Sequence, residues 1–426
     1  MAYAQDLGSC GVKPVEVQVL SRPQMLKKLK NIFPAFRHKN YRLYFAGQLI
    51  SMTGTWLQMI TQGWLVYNLT KSAFWVGAVG AVGTLPLLIF TPYAGVLVDR
   101  FSKRKILILT QIASFVFAFA LAILTILNIA NVWHVAVLAF FLTLAAALDV
   151  PARQSFLIEL VGKRDLSSAV ALQAGIFNTA RIIGPALAGL LIVYIGIGGT
   201  FLLNALSFVP LTIAFIKMRV KPLHFREHAH PLRALTDGVR YAFTHPTIGF
   251  LLVYTAIFSV FGWSYATIMP VITQSVFGQS ADVLGYLFVA SGVGAIIATF
   301  FVSAYSNTIS GKVMIIGGGL LFGTALVAFS FVRNFIYAFP ILFFSGVGMV
   351  GSFATVLSMI QHKVDHAYRG RVSALHILAF AGMFPVGNFL IGWLAEQLGP
   401  MSAVRTVGAV LVIASLPFFF KRKGFD

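Results

Sequence analysis

Apolar stretches of about 18 residues or more recur along nearly the whole chain, and they constrain the fold more than any other feature. Of the 426 residues, 58% are hydrophobic and only 10% are charged. Each stretch is long enough to cross a hydrocarbon core of about 30 Å as a helix that rises about 1.5 Å per residue. Because a backbone in lipid must satisfy its own hydrogen bonds, the sequence predicts an all-helical membrane protein.

Twelve of these stretches are predicted as transmembrane helices, six on each side of a polar linker. The apolar spacing over 231–243 predicts an amphipathic helix within that linker, lying on the membrane surface. The resulting domains are a tail (1–40), a first bundle (41–219), the linker (220–246), a second bundle (247–420) and a tail (421–426). The predicted spans are 41–68, 73–98, 104–128, 132–150, 167–194, 199–219, 247–273, 282–306, 312–332, 335–359, 372–397 and 401–420.

The net charge of +20 comes from basic residues that are concentrated in particular connections of the chain. Most of the 32 Lys and Arg residues fall in the two termini and in every second connection, with Lys71, Arg181, Arg333 and Arg405 as the exceptions. This asymmetry predicts that both termini are cytoplasmic and that the chain lies in a bacterial inner membrane, where its basic loops contact anionic lipid headgroups. No aromatic residues alternate with the basic ones as on a nucleic-acid surface, so no nucleic-acid partner is expected.

Motifs for catalysis, cofactors and metals are missing from the sequence. The letters "GVGMVG" at 346–351 fit a dinucleotide fingerprint, but they lie inside an apolar span and indicate helix packing. His224, His228 and His230 lack the Cys or acidic partners of a metal site, and the single cysteine, Cys10, allows no intramolecular disulfide. We therefore expect a monomeric protein without enzymatic activity, cofactor or metal.

The two predicted bundles resemble each other. A constant offset places Gly184 on Gly387 and Gly189 on Gly392, and "RDLSSAVALQ" (164–173) corresponds to "YRGRVSALH" (368–376). An internal repeat of six helices is the organisation expected of a transporter whose central site lies between the halves. The substrate would be a small molecule.

The stretch "GVLVDRFSKRK" (95–105) follows one apolar run and precedes another, and with "ARIIGPALAG" (180–189) it carries a family resemblance. The first resembles the loop motif of the major facilitator superfamily, with Ser102 in place of a glycine, and the second is similar to the G-P-x-x-G motif of its antiporters. The similarity looks closest to the branch of enterobactin exporters and macrolide efflux pumps. It implies two six-helix bundles and export of a small amphipathic drug or siderophore by proton antiport.

The loop motif is interpreted as a gate. A carboxylate at a cytoplasmic helix end pairs with bases across the interface while the inside is closed, whereas the alternative is a loop that only enforces topology. On span five, Gly184, Pro185 and Gly189 are interpreted as a hinge or a seal, with static packing as the alternative. The gate residues are Gly95, Asp99, Arg100, Lys103, Arg104 and Lys105.

Two stripes and one cation are the substrate-pathway candidates. The polar stripe on span one, which also includes Ser51, either lines the cavity or hydrogen-bonds neighbouring helices. The aromatic stripe on span seven either lines a pocket or takes part in ordinary core packing. Arg181, taken as the only Lys or Arg inside a span, either attracts an anionic substrate or pairs with Asp149. The candidates are Gln48, Thr55, Gln58, Gln62, Asn178, Arg181, Tyr254, Phe258, Phe261 and Tyr265.

Proton coupling has three candidate residues, because no acidic residue lies at mid-membrane. Asp149 and Glu159 lie near the inner end of span four, and His376, in span eleven, titrates near neutral pH if it is unperturbed. Two other functions stay open. They are a lipid or lysophospholipid flippase, and a membrane sensor or scaffold that does not transport.

Overall fold

The computed structural model describes residues 33–218, 220, 231–306, 308–366 and 368–420. Of the residues within helices, it leaves the side chains of Pro92, Gly95, Val96, Asp99 and 231–235 undescribed. Most of the predicted N-terminal tail, the linker histidines and the tail at 421–426 lie outside the described residues.

All regular structure in the described part of the chain is helical. A 3₁₀ turn at Pro34–Arg37 precedes twelve helices, of which α7 changes to π and 3₁₀ geometry over 258–268 and α11 contains a 3₁₀ turn at Ala381–Met383. The helices are α1 Lys39–Thr70, α2 Ala73–Arg100, α3 Lys103–Ile126, α4 Val132–Val161, α5 Leu166–Lys217, α6 Pro231–Thr244, α7 Pro246–Val276, α8 Ala281–Tyr305, α9 Gly311–Phe329, α10 Phe335–Lys363, α11 Arg369–Leu398 and α12 Pro400–Phe420.

Ten of the described helices are long and apolar enough to cross a membrane, which is fewer than the twelve predicted spans. Two helices account for the difference. Spans predicted at 167–194 and 199–219 form the single 52-residue α5, which breaks at Gly196 with φ 75°. Helix α1 has 32 residues but is not among the ten, because its Gln, Ser and Thr residues lower its hydropathy.

Helix α4 is longer than predicted. The span was expected to end at 150, before Pro151 and the charges of "DVPARQ", but the helix continues to Val161 and stops at Gly162, which has φ 72°. Asp149 and Arg153 lie one turn apart and form an ion pair, so both charges are satisfied within the helix. The expectation that Arg181 is the only basic residue inside a span is therefore wrong, since Arg153 is 9% exposed within α4.

The helices form two halves, α1–α5 and α7–α12. Helix α2 packs on α11 and α5 packs on α8, and α1 and α2 also touch α7, so these contacts join the halves. The predicted linker helix is present as α6, whose Tyr241 stacks on Tyr368 at 4.1 Å and donates to Asp365 Oδ2 at 2.9 Å. We call the end that holds the α1–α2 and α7–α8 turns the low-charge end. The opposite end, which holds the α2–α3, α4–α5 and α10–α11 turns, is the basic end.

Candidate functional site

The two halves touch backbone to backbone at the low-charge end. A Cβ on Gly77 of α2 would lie 2.6 Å from Gly392 Cα of α11, and a Cβ on Gly189 of α5 would lie 2.5 Å from Ala281 O of α8. A Cβ on Gly285 of α8 would lie 2.8 Å from Pro185 O. Only glycine allows such close approach, so these positions close the interface.

A carboxylate adds a polar contact across the same end. Glu396 of α11 accepts hydrogen bonds from the Ser72 hydroxyl at 3.0 Å and from Phe74 N–H at 3.1 Å, at the first turn of α2. A negative charge at a helix N-terminus is favourable because the first N–H groups lack partners within the helix. Sequence analysis missed Glu396. The sequence did carry a signal for it, because Glu396 is an acidic residue near a predicted connection that has few charges.

The interface loosens toward the basic end. Helices α5 and α8 are still in contact at Ile182 and Gly292, but beyond that point most residues of 299–306 on α8 are exposed on every helix face. Val170 of α5 is 53% exposed, and Phe300 of α8 is 72% exposed. The cleft between the halves is thus closed at the low-charge end and more open at the basic end.

Arg181 lies at the point where the closed part of the cleft begins. Its guanidinium carbon is 4.9 Å from the centroid of the Trp263 ring, and Nη2 is 3.8 Å from Met349 Sδ of α10. A small cavity of about 30 Å³ surrounds these groups and receives residues from both halves. Its lining residues are Trp56, Met59, Ile60, Arg181, Trp263, Tyr265, Ala266, Phe288, Ser291, Gly292 and Met349.

The expected alternative, a structural pair between Arg181 and Asp149, is wrong. Asp149 pairs with Arg153 and also accepts hydrogen bonds from Thr110 Oγ1 at 3.0 Å and Gln111 Nε2 at 2.9 Å. Each other acid whose side chain the structure describes is engaged elsewhere. These acids and their partners are Glu159 with Lys103, Asp165 with His38, Asp237 with Arg371, Asp282 with Ser280, Asp365 with Tyr241 and Glu396 with Ser72.

The polar stripe of α1 divides between two environments. Gln58 accepts a hydrogen bond from Asn204 in the second part of α5, and Ser51 donates to Gln111 of α3 at 3.4 Å, so both bond neighbouring helices of the first half. Gln48 is buried with its Oε1 unbonded. Thr55 is exposed, and Gln62 is half-buried.

The aromatic stripe of α7 divides in the same way. Tyr254 lies 3.0 Å from the hydroxyl of Ser352, and Phe258 packs on Phe322 at 5.3 Å, which places both in the core of the second half. Phe261 is half-buried. Only Tyr265 of this stripe lines the central cavity with Arg181. Asn178 donates to Ala174 O of its own helix at 3.0 Å.

The polar contacts described for the gate residues lie within the first half. Lys103 forms an ion pair with Glu159 of α4 at 3.2 Å, and Arg104 Nε donates to Phe215 O at the end of α5 at 2.7 Å. Arg100 and Lys105 are exposed. Ser102 has φ −61°, so the turn does not require glycine there. Nothing is described of the surroundings of Gly95 and of the Asp99 side chain, although both residues belong to α2.

The three coupling candidates differ in their surroundings. Asp149 and Glu159 are both in buried ion pairs with Arg153 and Lys103. His376 is 4% exposed, lies 5.5 Å from the ring of Phe353, and has no hydrogen-bond partner at Nε2. His376 is therefore the candidate whose protonation does not break an ion pair.

A larger cavity of about 650 Å³ lies away from the interface. It is lined by residues of α1, α3, the turn after α3 and the Gly196 break of α5, which all belong to the first half. This cavity therefore does not connect the two halves.

Comparison with known proteins assigns this architecture to a class. Residues 31–423 match the family described as transmembrane secretion effector, which covers more than half of the chain. The family match and the transporters among the relatives identify a multi-pass membrane transporter, not an enzyme. The chain belongs to the transmembrane secretion effector family of the major facilitator superfamily.

Relatives and solved structures agree with that assignment. The chain is 26% identical to the staphyloferrin A transporter of Staphylococcus aureus over 89% of this chain and 95% of the relative. It is 20% identical to an Escherichia coli enterobactin exporter over 88% and 90% of the two chains. A bacterial homologue of the human lysosomal transporter Spinster shares the fold, with a TM-score of 0.72, 13% identity, and coverage of 94% of this chain and 97% of that one.

Proposed function

We propose that the protein exports a small amphipathic compound, a siderophore or a drug, from the cytoplasm by alternating access. The observation that carries this proposal is the cleft between the halves, sealed by glycine contacts at one end and looser at the other. Relatives named as an enterobactin exporter and a macrolide efflux protein support export as the direction, and a relative named as a staphyloferrin A transporter supports a siderophore as the substrate.

The membrane topology of this proposal follows from charge and helix length. We infer that α5 crosses twice, with Gly196 at the turn, and that α1 crosses once in spite of its polar stripe, which gives twelve spans. The basic end then faces the cytoplasm because of its Lys and Arg residues, and both termini lie there. On this view the cleft opens toward the cytoplasm, and the protein lies in a bacterial inner membrane. The boundary between its two domains falls in the linker that holds α6.

Proton antiport is the coupling we infer, with His376 as the proton carrier. His376 takes part in no ion pair, so a conformation that exposes it to water would let it gain a proton without breaking one, unlike Asp149 or Glu159. We also propose that the protein works as a monomer and without a cofactor.

Inside-out vesicles test this function. We expect wild-type protein to accumulate an amphipathic dye when the vesicle lumen is acidic. His376→Asn should keep exchange of the dye but lose its dependence on the pH gradient. His362→Asn is the matched control, because His362 is exposed and bonds its own helix at Ser358 O.

Each result has a separate meaning. Accumulation without any pH dependence would remove proton antiport and leave export, whereas gradient dependence that survives in His376→Asn would move the proton carrier elsewhere. A wild-type protein that moves neither dyes nor siderophores nor lysolipids would contradict export and favour a sensor or scaffold.

A further inference from the structure

The central cavity holds a positive charge without a negative partner among the described residues. Arg181 stays charged because a guanidinium does not lose its proton in proteins. A cation inside a membrane-spanning bundle is unfavourable unless water, a charge or another polar group solvates it. The described acids are all engaged elsewhere, so none of them supplies a counter-charge to Arg181, and a bound anion can do so.

The neighbours of Arg181 show what kind of anion fits. The Trp263 ring lies against the guanidinium, and Tyr265, Trp56 and Phe288 supply further aromatic walls. The hydroxyls of Tyr265 and Ser291 lie 3.5 Å apart on the same cavity wall. A guanidinium presents a planar fork that matches the two oxygens of a carboxylate, and aromatic walls favour a flat apolar body.

The position of Arg181 also shows how a ligand would reach it. Arg181 directly precedes Ile182, which contacts Gly292 at the start of the closed part of the cleft. The cavity of about 30 Å³ holds little more than one water molecule, so a ligand head group fills it and the body of the ligand packs at its rim against the aromatic side chains that line it. The head group would then contact both halves, because Arg181 belongs to α5 while Trp263 and Met349 belong to α7 and α10.

We propose that Arg181 recognises the carboxylate, or a similar bidentate oxyanion, of an aromatic substrate bound between the halves. This proposal rests on the export function proposed above and names the substrate class of the same site. It assigns the recognition of charge to the first half and the recognition of the aromatic body mainly to the second.

Binding of a matched pair of probes to the purified full chain tests the proposal. The probes are 1-naphthoate and the neutral 1-naphthamide, which differ mainly in charge. Arg181→Gln should weaken naphthoate binding about 10-fold to 100-fold, the loss expected for one hydrogen bond to a charged group, and should leave naphthamide binding unchanged. Arg181→Lys should keep part of the naphthoate affinity.

Arg405→Gln is the matched control. The Arg405 guanidinium also stacks on an aromatic ring, at 4.4 Å from the Phe331 centroid, but it lies outside the central cavity at the low-charge end. Its substitution should change neither affinity.

The proposal is overturned if wild-type protein shows no preference for naphthoate over naphthamide, or if Arg181→Gln lowers both affinities and the melting temperature together. Because binding is measured without transport, its failure is separate from failure of export. Selective naphthoate binding with no uptake in vesicles would contradict the exporter and leave the anion site intact.

Discussion

The two ends of the molecule differ in what their contacts join, because contacts at the low-charge end join the two halves and polar contacts at the basic end join helices within one half. At the low-charge end, glycines bring backbones of opposite halves together, and Glu396 bonds across to α2. At the basic end, the polar contacts of Lys103 with Glu159 and of Arg104 with Phe215 O tie helices of the first half. Tyr241 and Asp365 tie α6 to the second half in the same way.

This difference shows which contacts a rocking motion must break. If the halves move as rigid bodies, the glycine contacts and the Glu396 bonds have to open in each cycle. The buried ion pairs of the first half do not, because both partners move together. We therefore expect substitutions at the basic end to change stability, and substitutions at the low-charge end to change the balance between conformations.

The largest expected effect is on the stability of the first half. Asp149→Asn leaves Arg153 buried without its counter-charge, which we expect to cost about 3–5 kcal/mol. The measurement is the melting temperature of the purified protein. Asp149→Asn combined with Arg153→Gln should recover part of the loss.

The partly buried pair of His38 and Asp165 is the control for this prediction. His38 Nε2 and Asp165 Oδ2 lie 2.9 Å apart, and their side chains are 37% and 14% exposed, so Asp165→Asn should cost clearly less than Asp149→Asn. If both single variants melt alike, the buried ion pair does not hold the first half together.

The second prediction concerns the glycine contacts. Gly189→Val should force α5 and α8 apart at the low-charge end, because its Cβ would meet the backbone of Ala281. Overpacking of about 1–3 kcal/mol corresponds to a shift of roughly 5-fold to 100-fold toward the conformation open at that end. The measurement is the rate at which an impermeant maleimide, added at the low-charge end, labels Ala266→Cys. The chain used for this measurement has its native Cys10 replaced by serine.

Gly175→Val is the control on the same helix, since a Cβ there meets nothing within 4 Å. It should leave the labelling rate of Ala266→Cys unchanged. Equal labelling in both variants would show that the glycine contacts are static packing and not a seal.

Particular residues show how far sequence reasoning reached. The repeat and the G-P-x-x-G segment predicted the close approach at Gly189, because small residues at helical spacing indicate touching backbones. Arg181 stood out because a cation inside an apolar span is rare. The end of α4 was predicted too early, since Pro151 and the charges around it are typical of a loop. The spacing of four between Asp149 and Arg153 was the available signal, because it fits an ion pair along one helix.

Contacts between distant segments were beyond sequence reasoning. Glu396 and Ser72 are separated by 324 positions, and no local pattern connects them. The helical spacing predicted one polar face on α1, but the packing of α3 and α5 decides which of its residues bond neighbouring helices.

The smallest expected effect is on the Glu396 contact across the low-charge end. Glu396→Gln removes a charge from the N-terminus of α2 but keeps an oxygen that can accept from Ser72 and Phe74. The charge is worth about 0.3–1 kcal/mol at a helix terminus, so labelling of Ala266→Cys from this end should rise about two-fold to five-fold. Asp282→Asn is the matched control, because Asp282 is an acid at the same end that bonds Ser280 next to its own helix. A rise in the control equal to that in Glu396→Gln would mean that net charge at this end, and not the bond between α2 and α11, sets the balance between conformations.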